Sequence, residues 1–274
     1  MRLRTLPVSL AGVVMGTGYA ARAGELKLLP AVLCFAVAFL AQIASNFANE
    51  YYDYANGLDR RGREGPRRGV TEGDITPAAM KRATFAVLAL ACAAGLALIP
   101  YGGWWLIAVG VAIAAGVVAY SAVPYPLSHH GLGEVAVIVF FGIVPVNFTA
   151  WLCSGVWQPE MAVGSLSAGL LGANVLIVNN YRDAADDASV GKHTLAVIVG
   201  PGRMPVLYAL NALVAMGIIL PQFSGAGYLL PAITAGCALL IARAMTRRTG
   251  RALTPLLGMT AVLMFAFALA FALL

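Results

Sequence analysis

The sequence predicts an all-α fold: a polytopic membrane protein of about nine transmembrane helices in one bundle. Three observations carry this expectation. Only 11% of the 274 residues are charged and 60% are hydrophobic, whereas a soluble domain carries about 25% charged residues. Apolar blocks recur from end to end, each close to the roughly 20 residues a helix needs to cross a ~30 Å hydrocarbon core. Basic residues gather almost entirely in alternate connections between those blocks.

The predicted spans are 6–21, 29–49, 83–100, 104–121, 133–153, 161–180, 205–220, 227–243 and 252–273. Pro100, Gly102 and Gly103 mark the tight turn between the third and fourth, and Pro159, Pro221 and Pro255 mark other boundaries. The blocks leave no room for a separate soluble unit, so a single domain over 1–274 is expected. The first block follows Arg2 and Arg4 and has the outline of a signal peptide. A small-residue cleavage site is hard to place, and the chain stays membrane-like beyond it, so it is read as a retained first helix. Cys34, Cys92, Cys153 and Cys237 lie in separate apolar blocks without CxxC spacing and read as buried filler. Trp104 and Trp105 read as anchors at the outer boundary.

Sixteen of the 18 Lys and Arg residues fall at the N-terminus or after the second, sixth and eighth spans; the other two, Arg22 and Lys27, follow the first. With nine spans these sixteen share one side. The positive-inside rule then places the N-terminus and the basic loops in the cytoplasm and the C-terminus across the membrane. The net charge of +6 is thereby a topology signal, and nucleic acid is not expected as a partner.

The acids mark the chemistry. Most of the 12 Asp and Glu residues sit in two clusters on the predicted cytoplasmic side: Asn46–Val70 after the second span and Asn179–Gly200 after the sixth. If the second helix continues past the hydrocarbon, Asn49, Asp53 and Asn56 share one face at i, i+4, i+7, with Asn46 a turn earlier and Asp59 rotated away. Asn180, Asp183 and Asp187 share a face in the second cluster, and Asp186 points elsewhere. Carboxylates gathered in a partly dry site repel one another unless neutralised. Mg²⁺ answers that need, since it commonly joins one or two carboxylates to substrate phosphates. Arg67, Arg68 and Lys192 then suit a polyphosphate anion, and Gly62, Gly65, Gly69 and Gly191 allow close backbone approach.

The stretches RTLPVSLAGVVMGTG (4–18), SNFANEYYDYANGLDRRGREGPRRGV (45–70), PYPLSHHGLGEVAVIVFFGIVPV (124–146) and NNYRDAADDASVGKHTLAVIVG (179–200) resemble the UbiA superfamily of intramembrane prenyltransferases, and within it the branch acting on 1,4-dihydroxy-2-naphthoate in menaquinone synthesis. The resemblance runs from residue 4 to about 200; the last three helices add little to it. It implies a lateral, lipid-open cavity with Mg²⁺ and a prenyl diphosphate at its cytoplasmic end. By motif position Asn49, Asp53, Asp59, Asp183 and Asp187 would serve the metal, and Asn49, Arg67, Arg68, Asn180 and Lys192 the diphosphate. Asp53, Asp183, Asp187, Arg68 and Lys192 would carry catalysis. Glu50 and Gly57 replace acids of the common NDxxDxxxD first motif, Asp59 arrives two residues late, and Leu3 stands where a proline often precedes RTLP.

The implied partners are a polyprenyl diphosphate, an aromatic acceptor and membrane lipid, with prenyl transfer to the acceptor ring as the reaction. Tyr51, Tyr52, Tyr54, Tyr120, Tyr125 and Tyr181 lie at a depth where aromatic faces could steady an allylic cation, a depth interfacial tyrosines also occupy without catalysis. His129 and His130 sit in a loop that could cover the site, and Glu134 could orient acceptor or loop. Three alternatives stay open. A transporter would carry ionisable groups near the bilayer midplane, where this chain has almost none. Another aromatic acceptor, such as 4-hydroxybenzoate or homogentisate, would keep the chemistry. Phosphotransfer to a lipid alcohol also uses paired acids and Mg²⁺, but its DxxDGxxAR…GxxxDxxxD pattern in a single segment is absent. Tail length and oligomeric state are not legible.

Overall fold

The structure, a computed structural model, describes residues 6–24, 26–62, 64–122 and 124–274. Arg2, Leu3, Arg4 and Arg63 lie outside the described residues. Long helices dominate: α1 (Leu6–Arg22), α2 (Leu28–Ala55), α3 (Pro77–Leu96), α4 (Leu106–Ala119), α5 (Gly133–Ser154), α6 (Pro159–Ser189), α7 (Met204–Ile219), α8 (Leu229–Met245) and α9 (Thr254–Leu273). Among the described residues the one departure towards β structure is an isolated bridge between His130 and His193.

Seven of these helices, α2, α3 and α5–α9, are long and apolar enough to cross a membrane, the last three with their flanking 3₁₀ turns. The predicted first and fourth spans fall short of that measure. α1 has 17 residues and α4 has 14, and 14 residues rise only about 21 Å. The shortfall in α4 has a local cause: Ile99–Gly102 forms a separate turn closed by Gly103, and the chain becomes helical again only at Leu106.

Three predicted boundaries also shift. α3 starts at Pro77 rather than 83, because the Thr76 side chain caps it by accepting the Ala79 N–H at 3.2 Å and Pro77 is preset for the first turn. α2 and α6 run on to Ala55 and Ser189 instead of stopping near 49 and 180. Polar residues end the hydrocarbon span, but they do not end a helix.

The bundle has two unlike halves. Its continuous core lies among α1, α5, α6, α7, α8 and α9, where Met15, Met161, Tyr208, Leu256, Phe267 and Phe271 are almost fully buried. Lipid offers helices no hydrophobic drive to associate, so close packing and polar links must hold them. Both are present. Gly142 of α5 lies so close to Gly169 of α6 that a side chain at either would collide with the other backbone. Asn211 of α7 donates to Leu170 O at 2.6 Å and to Asn174 Oδ1 at 2.9 Å, and Tyr208 OH lies 3.0 Å from Thr260 Oγ1 of α9. The α2–α5 half carries only a smaller buried cluster around Val13, Cys34, Leu98, Leu106 and Leu152. Packing is incomplete there, and a cavity results.

Candidate active site

The 28 residues of α2 and the 31 of α6 rise about 42 and 46 Å, beyond what a ~30 Å hydrocarbon core needs. The surplus turns of both carry the acidic clusters, and both close in the same way. After α2, Leu58 N donates to Asp53 O at 2.8 Å and Gly57 N to Tyr54 O at 3.0 Å, with Gly57 at φ +69°. After α6, Lys192 N donates to Asp187 O at 2.9 Å and Gly191 N to Ala188 O at 3.2 Å, with Gly191 at φ +74°. These are paired Schellman caps, each needing a left-handed residue just past the helix. The glycine that replaces the last acid of the first motif therefore has a structural task. Gly191→Ala meets no neighbour within 4 Å, so its cost is conformational, about 1–2 kcal/mol. A lower melting temperature in detergent is expected, largely restored by Gly191→Asn, which tolerates the left-handed region.

The Asp53 carboxylate lies at the centre, 1% exposed. Its Oδ2 is 3.2 Å from an Arg68 guanidinium nitrogen and 3.1 Å from Lys192 Nζ. Its Oδ1 is 3.5 Å from His129 Nε2. Arg68, 3% exposed, also donates to Asn49 Oδ1 at 2.9 Å and has its Nε 3.3 Å from Asp59 Oδ2. Asn49 in turn donates to Ser121 Oγ at 3.0 Å. Four segments thus converge: α2, the Gly57–Arg68 loop, the loop before α5 and the turn after α6. Because Lys192 follows Asp187 by five residues and its amine reaches Asp53, the ends of α2 and α6 lie on one side of the bundle. His193 N donates to His129 O at 3.0 Å and holds the same two loops together.

On α6, Asn180, Asp183 and Asp187 are all buried. Arg182 grips both Asp183 oxygens at 2.7 Å and also reaches Asn179 Oδ1 at 2.8 Å. Asn180 donates to Glu134 Oε1 of α5 at 2.8 Å. Asp186 faces another way, accepting from Arg60 and from the Glu64 N–H, each at 2.7 Å.

Beside this polar end, a cavity of about 310 Å³ opens among α2, α3, α4 and α5, lined by apolar side chains such as Val37, Ala38, Leu88, Phe140 and Phe148. A six-residue π-helical stretch, Ile138–Ile143, just before Pro145 contributes Phe140 and Phe141 to its wall. Gln42, Ser45 and Tyr120 line it as well, and Tyr120 immediately precedes Ser121, the partner of Asn49.

The UbiA prenyltransferase family model matches residues 9–269. The chain belongs to the UbiA prenyltransferase family. Relatives agree over nearly the full length: the 1,4-dihydroxy-2-naphthoate octaprenyltransferase of Mycobacterium tuberculosis is 37% identical over 99% of this chain and 93% of its own. The Escherichia coli protein of that name is also 37% identical, over 73% of this chain and 67% of its own. Among solved structures, a UbiA homolog from Aeropyrum pernix superposes with a TM-score of 0.73 at 16% identity, covering 98% of both chains. The UbiA homolog from Archaeoglobus fulgidus bound to GPP and Mg²⁺ gives 0.62 at 17% identity, covering 99% of this chain and 100% of its own.

Within this UbiA-family bundle the structure separates residues the sequence treated alike. Asn49, Asp53, Asp59, Arg68 and Lys192 converge. Arg67 does not: it is 69% exposed and paired with Asp74 at 2.9 Å, because the extended backbone at Arg68 turns adjacent side chains to opposite sides. Asn56 does not share the burial of Asn49 and Asp53, since it is the exposed C-cap residue of α2. Arg182, expected in a loop, is inside α6 and buried. Of the six tyrosines, Tyr120 lines the cavity, while Tyr54 and Tyr125 are exposed and Tyr125 stacks on His130. Cys34 and Cys153 are buried as expected, whereas Cys92 is exposed and lines the cavity.

Sequence reasoning missed Glu50, 7% exposed, whose carboxylate receives the Val70 N–H at 3.1 Å and fixes the segment after Arg68. It also missed Ser121 and the Arg182 grip on Asp183. A signal for Glu50 existed: an acid on a helix face otherwise given to burial.

Among the described residues no three His, Cys, Asp or Glu side chains form a closed cation cage. Mg²⁺ does not require one, because it keeps waters and is commonly held through one or two carboxylates plus substrate phosphates. Asp53 Oδ1 is buried and makes no close hydrogen bond, its contact with His129 Nε2 being long at 3.5 Å, so it could still accept a cation. The donor set fits.

Proposed function

We propose that the chain transfers a prenyl group from a polyprenyl diphosphate to 1,4-dihydroxy-2-naphthoate, with Mg²⁺, releasing diphosphate and yielding demethylmenaquinone as the ring carboxylate is lost. The observation carrying this reading is the pairing of Asp53 with Arg68 and Lys192 at the head of an apolar cavity, in a chain whose full-length relatives bear the naphthoate activity in their names.

Two helix C-termini and several carboxylates make the polar end electronegative. A diphosphate binds there only with cations. Asn49, Asp53, Asp59, Asp183 and Asp187 are the residues that would hold Mg²⁺, which supplies charge neutralisation at phosphate oxygens when bound. Arg68 and Lys192 hold the diphosphate and stabilise the charge that grows on it as the allylic C–O bond breaks. Asn180 completes the anion's surroundings, while Arg67, turned outward to Asp74, stays outside them. The tail lies in the apolar cavity. Leu96, Ile107 and Val111 line that cavity and are solvent-exposed, which supports an open cavity on that side of the bundle. Tyr120, at the cavity's polar end, is the aromatic group placed to face the developing allylic cation. The charge asymmetry supports a cell-membrane location with the active site cytoplasmic and the C-terminus opposite.

The test is turnover by the purified chain with a labelled polyprenyl diphosphate and three acceptors in parallel. Prenylated product is expected with the naphthoate and at least about tenfold less with 4-hydroxybenzoate or homogentisate, a margin of 1.4 kcal/mol. Chelation should stop turnover and added Mg²⁺ restore it. Transfer to one of the other rings in preference would reject the acceptor, and chelator-resistant transfer would reject the metal.

A further inference from the structure

The segment between Asp59 and Arg68 brings both of these residues to Asp53 and its surroundings. Arg60, Gly62 and Glu64 are held from outside at several points. Arg60 reaches Asp186 Oδ1 at 2.7 Å, and the Glu64 N–H reaches Asp186 Oδ2 at 2.7 Å. The Glu64 carboxylate accepts the Arg251 N–H at 2.8 Å and lies 3.6 Å from Arg251 Nε. The Arg251 guanidinium donates to Gly62 O at 3.2 Å. A Cβ on Gly250 would stand 3.0 Å from Glu64 Oε2, so the carboxylate sits tightly against the chain just before α9.

An exposed ion pair alone contributes little. Here charged groups and backbone N–H groups act together on Arg60, Gly62 and Glu64, and both anchors, Asp186 and Arg251, come from distant parts of the chain. The arrangement also concerns α8 and α9, from which no residue lines the cavity.

We propose that Glu64, Asp186 and Arg251 form a clasp that pre-orders the Asp59–Arg68 segment for the diphosphate, making them positioning residues for the transfer reaction. The proposal rests on the prenyl-diphosphate reading given above. Its energetic logic is population. A segment ordered only about one time in ten in the free protein weakens apparent affinity about tenfold, while the chemical step, once substrate is bound, is unchanged.

The experiment uses the full chain in detergent with Glu64→Ala, Arg251→Ala, Asp186→Ala and the reversed pair Glu64→Arg with Arg251→Glu. Each single variant is expected to raise KM for the polyprenyl diphosphate about tenfold with kcat within about twofold, and the reversed pair should recover part of that loss. Limited trypsin digestion supplies a readout without substrate: Glu64→Ala should speed cleavage at Arg60, Arg61 and Arg67 several-fold. Unchanged KM, a loss of kcat in place of KM, or no gain from charge reversal overturns the clasp. So does unchanged trypsin sensitivity, and that arm holds even where the naphthoate reading fails.

Discussion

Asp53→Ala is expected to abolish turnover, lowering kcat on the order of 10³-fold or more, as removal of a charge-stabilising group in a dry site does. Asp53 receives two cations and a histidine on one buried carboxylate. Its loss unpairs Arg68 and Lys192 from their shared partner and removes the acceptor oxygen offered to the metal. Breaking a buried pair on one side also destabilises, by about 3–5 kcal/mol where no other partner remains. Asn49 still accepts from Arg68 and Asp59 remains 3.3 Å from its Nε as an ion pair, so a smaller fall in melting temperature is expected. Asp53→Asn keeps the shape, so inactivity with near-normal melting in that variant separates chemistry from folding. Asp187→Ala should match the loss of turnover, whereas Asp186→Ala should retain kcat and raise KM. Near-normal turnover in both the Asp53 and Asp187 variants, by labelled product formation, would remove the two-cluster mechanism.

The second large effect is expected at Arg68. Arg68→Lys preserves the charge but not the planar fork that at once reaches Asn49 Oδ1, Asp53 Oδ2 and the neighbourhood of Asp59. A lysine has a single ammonium at the end of a flexible stem. Turnover should fall roughly 10²-fold, in line with loss of one oriented donor, while Arg67→Lys should stay close to wild type. Steady-state kinetics on the two neighbouring substitutions would check this. Equal losses would mean that Arg67 leaves Asp74 and joins the site when the diphosphate binds.

That contrast marks how far the residues could be read. Asn49, Asp53, Asn180, Asp183 and Asp187 were legible because a helix repeats every 3.6 residues, so spacing alone assigns a face once the helix is known to continue. Arg67 and Arg68 were not separable, since no period governs an irregular loop. Asn56 was misplaced for a related reason. Asn56 is the exposed last position before the left-handed Gly57, and sequence spacing carries no notice of where a helix stops. The spans show the same division. Apolar blocks located the helices, but the capped start of α3 and the shortness of α4 depend on hydrogen bonds at Thr76 and on a turn at Gly103 that hydropathy does not register.

Composition and spacing by themselves determined the solvent, the helical class and the end of the bundle at which the acids gather. These follow from local quantities: apolar run length against bilayer thickness, the position of each charge, and the pitch of a helix. Tertiary structure alone decided which cation meets which carboxylate. It also decided that a cavity opens on the α2–α5 side, and that residues 186 and 251 hold a loop centred on residue 62. Such contacts join atoms far apart in the chain, and their energies depend on separations of a few ångströms that chain order leaves free.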